Sequence, residues 1–274
     1  MALWKKVSPL EKEWTKLEDK ELKYLNKRLE KKDFRLNQLL EEKTPENLQN
    51  TLDIAFFKAF TLIFEKGTGV IEKTYKKEEL EKDFKINEYT ASLRENKKSL
   101  KVFYKKAASS SNLNLVLSGV SGVGLGVLGI GLPDIVLFTG FMLKSIYEIA
   151  LNYGFDYEKE EEKKFILLII RGAMSYGEEL WEINEALNVF MHTGRFLESA
   201  DGLGNDFESI TLSKMTSETA GCLSKELLYM KFLQGIPVVG VVGGAYDAIY
   251  MQKIVEYAKI KYQRRFLLKR IEDK

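Results

Sequence analysis

The sequence predicts an all-α protein, a multi-helix bundle with two glycine-rich apolar helical hairpins. Three observations predict it. Apolar residues recur at helical spacing, as in Leu10, Trp14, Leu17, Tyr24 and Leu25. Few stretches alternate apolar and polar residues with period two, so little β-structure is expected. Two uncharged stretches, 107–133 and 232–246, are rich in glycine, which lets helix backbones approach closely.

In chain order, the first amphipathic helix is expected to start at Leu10 and end near Glu42. Thr44 and Pro45 then look like an N-cap and a first helical proline. Leu48, Leu52, Ala55, Phe56, Ala59, Phe60 and Ile63 form a wide apolar stripe, and Gly67 is a plausible stop. Residues 89–107 read as one helix with two faces. Leu93, Leu100, Phe103, Tyr104 and Ala107 mark the apolar face, and Arg94, Lys97, Lys98, Lys101 and Lys105 mark a basic one. A helix lying on an anionic lipid surface needs such a pair of faces, but so does a core-facing helix with a lysine-rich outside. Both readings stay open here.

The first glycine-rich stretch leads through Gly131-Leu132-Pro133 into a helix, and the second through Gly235-Ile236-Pro237 into another. Gly122 and Gly126 are four apart, as are Gly240 and Gly244. Between the two stretches lie an acidic turn at 156–164, a helix containing FILLIIRGAM, and a glycine-punctuated loop at 192–211. We divide the chain into an N-terminal amphipathic helical layer, 1–106, and a helical core, 107–274, as one continuous domain.

Could either apolar stretch cross a bilayer? Residues 113–133 are long enough, but glycine and serine lower their hydrophobicity. In the second stretch Asp247 would cost about 2.5–3.5 kcal/mol near the bilayer centre. Buried hairpins are the expectation. Charge is uneven: residues 71–106 carry eleven basic and seven acidic side chains, while 151–231 carry eight and fifteen. One cysteine, Cys222, excludes an internal disulfide framework, and Met1-Ala-Leu-Trp-Lys-Lys lacks the apolar core of a secretory signal. A cytoplasmic protein is expected.

Chemistry is thinly signalled. Gly124, Gly126 and Gly129 satisfy G-x-G-x-x-G, but Pro133 follows too soon for the crossover helix and no βαβ pattern surrounds them. His192 is the only histidine, so a multi-histidine metal site or a histidine triad is excluded. No metal, cofactor or nucleic-acid partner is expected. Asp134 suits a first helical turn, whereas Asp247 and Arg171 each stand in apolar surroundings and invite a buried pair.

Several segments together resemble the EcsC protein family over most of the chain: EKGTGVIEKTY (65–75), the run into GLPDI (131–135), EIALNYGFD (148–156), and QGIPVVGVVGGAYD (234–247) followed by YAKIKYQRRF (257–266). Asp247 stands where relatives commonly carry asparagine. The resemblance implies a bacterial helical protein, cytoplasmic or membrane-associated, accessory to an ABC transporter or a secretion system. It supplies no catalytic residue. Asp134, Tyr153, Gly154, Asp156, Asp247, Arg265 and Phe266 are its pattern positions, without an assigned role.

Three functions remain open. The first is a non-enzymatic membrane-associated protein whose partner is an anionic membrane surface or a membrane protein, peripheral on the inner face of the cell membrane. The second is a soluble protein-interaction module. The third is an enzyme or binding protein for a lipid or other apolar ligand, with Asp134 and Asp247 in its pocket.

Overall fold

The computed structural model describes residues 7–29, 46–67, 71–73, 75–110, 133–194, 211–233 and 244–273. Among these residues all regular structure is helical. Helix α1, Pro9–Asn26, starts on a capping box: Ser8 Oγ accepts from the Glu11 amide at 3.1 Å, and Glu11 Oε2 accepts from the Ser8 amide at 2.6 Å. Proline occupies its first position, where its missing N–H costs nothing.

The helix ends at Asn26 and not near Glu42. Arg28 explains this. Its guanidinium is drawn inward, donating to Tyr24 Oη and the Ala173 carbonyl and lying over the rings of Tyr24 and Tyr176. The backbone turns to deliver it, with the Arg28 amide bonded to the Leu25 carbonyl.

Helix α2, Glu46–Leu62, buries Leu52, Ala55, Phe56, Ala59 and Phe60, then widens into a π-turn at Ile63–Gly67. Thr44 and Pro45 lie outside the described residues. The expected helix 89–107 is two helices, α3 (Lys77–Leu93) and α4 (Lys97–Ser110). Arg94 is extended, and Asn96 Oδ1 caps α4 by accepting from the Lys98 and Ser99 amides at 2.8 and 3.1 Å. In return Ser99 Oγ accepts from the Asn96 amide.

The remaining helices are α5 (Pro133–Asn152), α6 (Glu160–Met174), α7 (Gly177–Thr193), α8 (Leu212–Leu233) and α9 (Gly244–Glu272). Helices α5 and α9 pack against each other. On α5 lie α2, α3 and α4; on α9 lie α1, α4, α6 and α7; α8 packs against α2 and α6. Phe165 to Ile170 of α6 are all buried, because neighbours cover that helix on several sides.

Helix α5 is long and apolar enough to cross a membrane, with a mean hydropathy of 1.4 over Ile135–Asn152. Yet 72% of that window is buried, and four helices surround it, so it serves here as a core helix. The glycine-rich stretches 111–132 and 234–243 lie outside the described residues, as do residues 195–210, most of the stretch expected as a loop.

Candidate membrane-facing surface

Helices α3 and α4 form a hairpin laid on α5, and its inner side is apolar. Ala91, Leu100, Phe103 and Ala107 are buried. Phe84 meets Phe103 with ring centroids 5.8 Å apart, and Phe103 meets Phe266 of α9 at 4.5 Å. Two residues expected on this inner face are not there: Leu93 is 70% exposed and Tyr104 42%. The break at 94–96 uncouples the two helical wheels, so a stripe drawn through both does not hold.

The hairpin's acidic side chains are largely engaged in pairs. Asp83 bonds Lys106 across the two helices. Glu88 and Glu95 converge on Arg270 of α9, at 2.6 and 3.5 Å. Glu79 pairs with Lys76 at 2.7 Å. The cations of the predicted stripe are placed otherwise: Arg94, Lys97, Lys98, Lys101 and Lys105 are all exposed, and none has a carboxylate partner among the described residues. Pairing of the acids leaves the outer face positive, an effect that residue counting alone understates.

Five of the positions singled out by family resemblance, Tyr153, Gly154, Asp156, Arg265 and Phe266, form a second locality. Helix α5 ends in a Schellman motif: the Phe155 amide bonds the Ala150 carbonyl at 2.9 Å and the Gly154 amide bonds the Leu151 carbonyl at 3.0 Å. Gly154 has φ of 78°, and a Cβ there would meet the Phe84 ring at 2.2 Å. Asp156 Oδ1 then accepts from the Glu158 amide at 3.0 Å, a turn that leads into α6.

Arg265 of α9 bonds Glu162 at 2.6 Å and lies over the rings of Phe155, Phe165 and Phe190. Glu162 also accepts from Tyr262 Oη at 2.7 Å. Phe266 packs on Tyr153. Nearby, Tyr75 donates to Tyr157, and Tyr157 to Glu72, which Lys77 also reaches at 3.3 Å. Burial first, and that bond to Glu72 second, push the Tyr157 hydroxyl far above its ordinary range. Arg265, Tyr262 and Phe266 join the α5–α6 corner to α9, and Tyr75, Glu72 and Lys77 join it to the segment leading into α3; each contact described is structural. The side chains of Asp134 and Asp247 lie outside the described residues.

The family model described as the EcsC protein family matches residues 10–267. The chain belongs to the EcsC protein family. In this EcsC protein the match runs from α1 into the last turns of α9, so it includes the hairpin and the corner alike. No curated protein and no solved structure matches the chain.

A cleft of about 660 Å³ opens between α2, α6, α7 and α8. Arg171 lines it, bonded to Glu218 at 2.6 Å and 4.0 Å from Glu179, so it is not the apolar-bound residue expected from its sequence neighbours. Among the described residues no group of three His, Cys, Asp or Glu is placed to hold a metal.

Sequence reasoning missed Glu21 and Lys261, a buried ion pair in which Lys261 also donates to Asn188 Oδ1 and Glu21 also accepts from the partly buried Arg264. It also missed Ile86 and Tyr89 of α3. Their spacing with Leu93, three then four, was a readable signal.

Proposed function

We propose that this EcsC protein is a non-enzymatic peripheral membrane protein whose α3–α4 face binds an anionic lipid surface. One observation carries the reading: Arg94, Lys97, Lys98, Lys101 and Lys105 are exposed without carboxylate partners among the described residues, while the acids around them are largely engaged in pairs. Each such cation near an anionic leaflet contributes about 1 kcal/mol, falling off within a Debye length. Five together suffice for reversible binding at low salt. The inner face of the cell membrane supplies such a surface, and a role beside an ABC transporter or secretion complex rests on the family resemblance alone.

Vesicle flotation tests it. The protein should float with vesicles containing phosphatidylglycerol at low salt, sink at high salt, and ignore phosphatidylcholine. Replacing the five cations by glutamine should abolish flotation. A protein that stays at the bottom with every vesicle at low salt overturns the reading and favours a soluble interaction module.

A further inference from the structure

The exposed apolar side chains of the described residues are mostly solitary. On α3 they are not: Ile86 is 54% exposed, Tyr89 67% and Leu93 70%. Steps of three and four place them in one row along the helix. Elsewhere the only two on one helix, Ile249 and Ile271 of α9, stand about six turns apart. A row of this kind on a folded surface marks a contact, since water disfavours it.

The row's surroundings identify the contact. Lys82 and Lys85 are exposed within a turn of Ile86, and neither has a carboxylate partner among the described residues. Arg94, Lys97 and Lys98 follow Leu93 directly. Both α3 and α4 pack on α5, so the row and the cations belong to one outer layer. An apolar strip edged by lysine and arginine suits the boundary between phosphate headgroups and acyl chains, where aromatic and aliphatic side chains enter and cations stay with the phosphates.

Resting on the surface-binding reading above, we infer that Ile86, Tyr89 and Leu93 enter the headgroup–acyl boundary of an anionic bilayer. Helix α3 then lies in the plane of the interface and anchors what the cations attract. Attraction through cations alone is reversed by salt, whereas transfer of apolar side chains is not.

The test compares three proteins on phosphatidylglycerol vesicles: wild type, the triple variant Ile86→Ser/Tyr89→Ser/Leu93→Ser, and the variant with the five cations replaced by glutamine. All substituted positions are exposed, and unchanged urea midpoints would establish that each variant folds. The triple variant should partition on the order of a hundredfold more weakly than wild type at low salt, from three apolar side chains left in water. It should still respond to salt.

A second readout uses an environment-sensitive dye on Leu93→Cys or Lys101→Cys, each in a Cys222→Ser background. Emission should shift blue on vesicles at position 93 and not at 101. If the triple variant partitions like wild type, or the dye at 93 stays in water, insertion is overturned while surface binding stands. If wild type binds no vesicle, both readings fall together. If wild type dimerises in solution and the triple variant does not, a second copy occupies the row and insertion is likewise overturned.

Discussion

The α5–α6 corner and the outer face of α3–α4 are both rich in charge and aromatic rings, and they are built in opposite ways. At the corner the central cation faces a counter-ion under a roof of rings: Arg265 has Glu162 on one side and three phenylalanine rings around it. On the hairpin the five stripe cations face water and the acids are largely spent on internal pairs. Charge in the first region specifies how helices fit together. In the second it is left over for something outside the protein.

The sharpest way to break this contrast is Glu162→Ala. Glu162 is 4% exposed and accepts from both Arg265 and Tyr262. Removing it strands a half-buried guanidinium and a fully buried hydroxyl, a loss of about 3–5 kcal/mol. Urea denaturation should show the midpoint collapsing. A loss below about 1 kcal/mol would place the corner among weak surface ion pairs and erase the distinction.

Gly154→Ala should cost somewhat less, about 2–4 kcal/mol, from a left-handed backbone and the displaced Phe84 ring together. Because Phe84 belongs to α3, this substitution also asks whether the corner holds the hairpin in place. Thermal melts and hydrogen exchange on α3 would answer that. Exchange that rises in α3 and nowhere else would show a hairpin fastened by the corner but separable from it.

The two regions differ also in how far residues alone disclosed them. The corner's turn was readable in part: the acidic stretch 156–164 reads as a turn, while Tyr153 and Gly154 enter only through the family resemblance and the left-handed glycine shows only in the fold. Its ion pair was not: Glu162 sits in an acidic run that looks solvated, and only the fold brings Arg265 to it across 103 residues. On the hairpin the five cations were legible as a stripe. The helix expected to carry them is two helices, because Asn96-x-x-Ser99 is a cap and not helix interior. One continuous helix would put Leu93 in the core. Local chemistry of turns and caps is written in neighbouring residues, whereas a pairing between distant helices becomes visible only once they are packed.

Glu148 of α5 belongs to neither kind of region, and so it sharpens the line between them. It is largely buried, yet Lys144, a turn before it, stands at 3.9 Å, too far for a hydrogen bond. Burial pushes its carboxyl up from the ordinary 4.5 to about 7, and Lys144 opposes this only in part. A carboxyl raised by folding holds its proton in the native state between those two values, while the unfolded chain has lost it. The cost of burying the charge is therefore absent below pH 4.5, grows as pH rises, and is complete above about 7. Glu148→Gln removes an ionising group while keeping its shape. With solvent still screening one edge of the group, the variant should be about 1 kcal/mol more stable than wild type at pH 8. Near pH 4.5 the two should unfold at the same urea concentration. A variant less stable than wild type at pH 8 would show that Glu148 is a paired member of the corner after all, and that the inward wiring extends one turn further along α5.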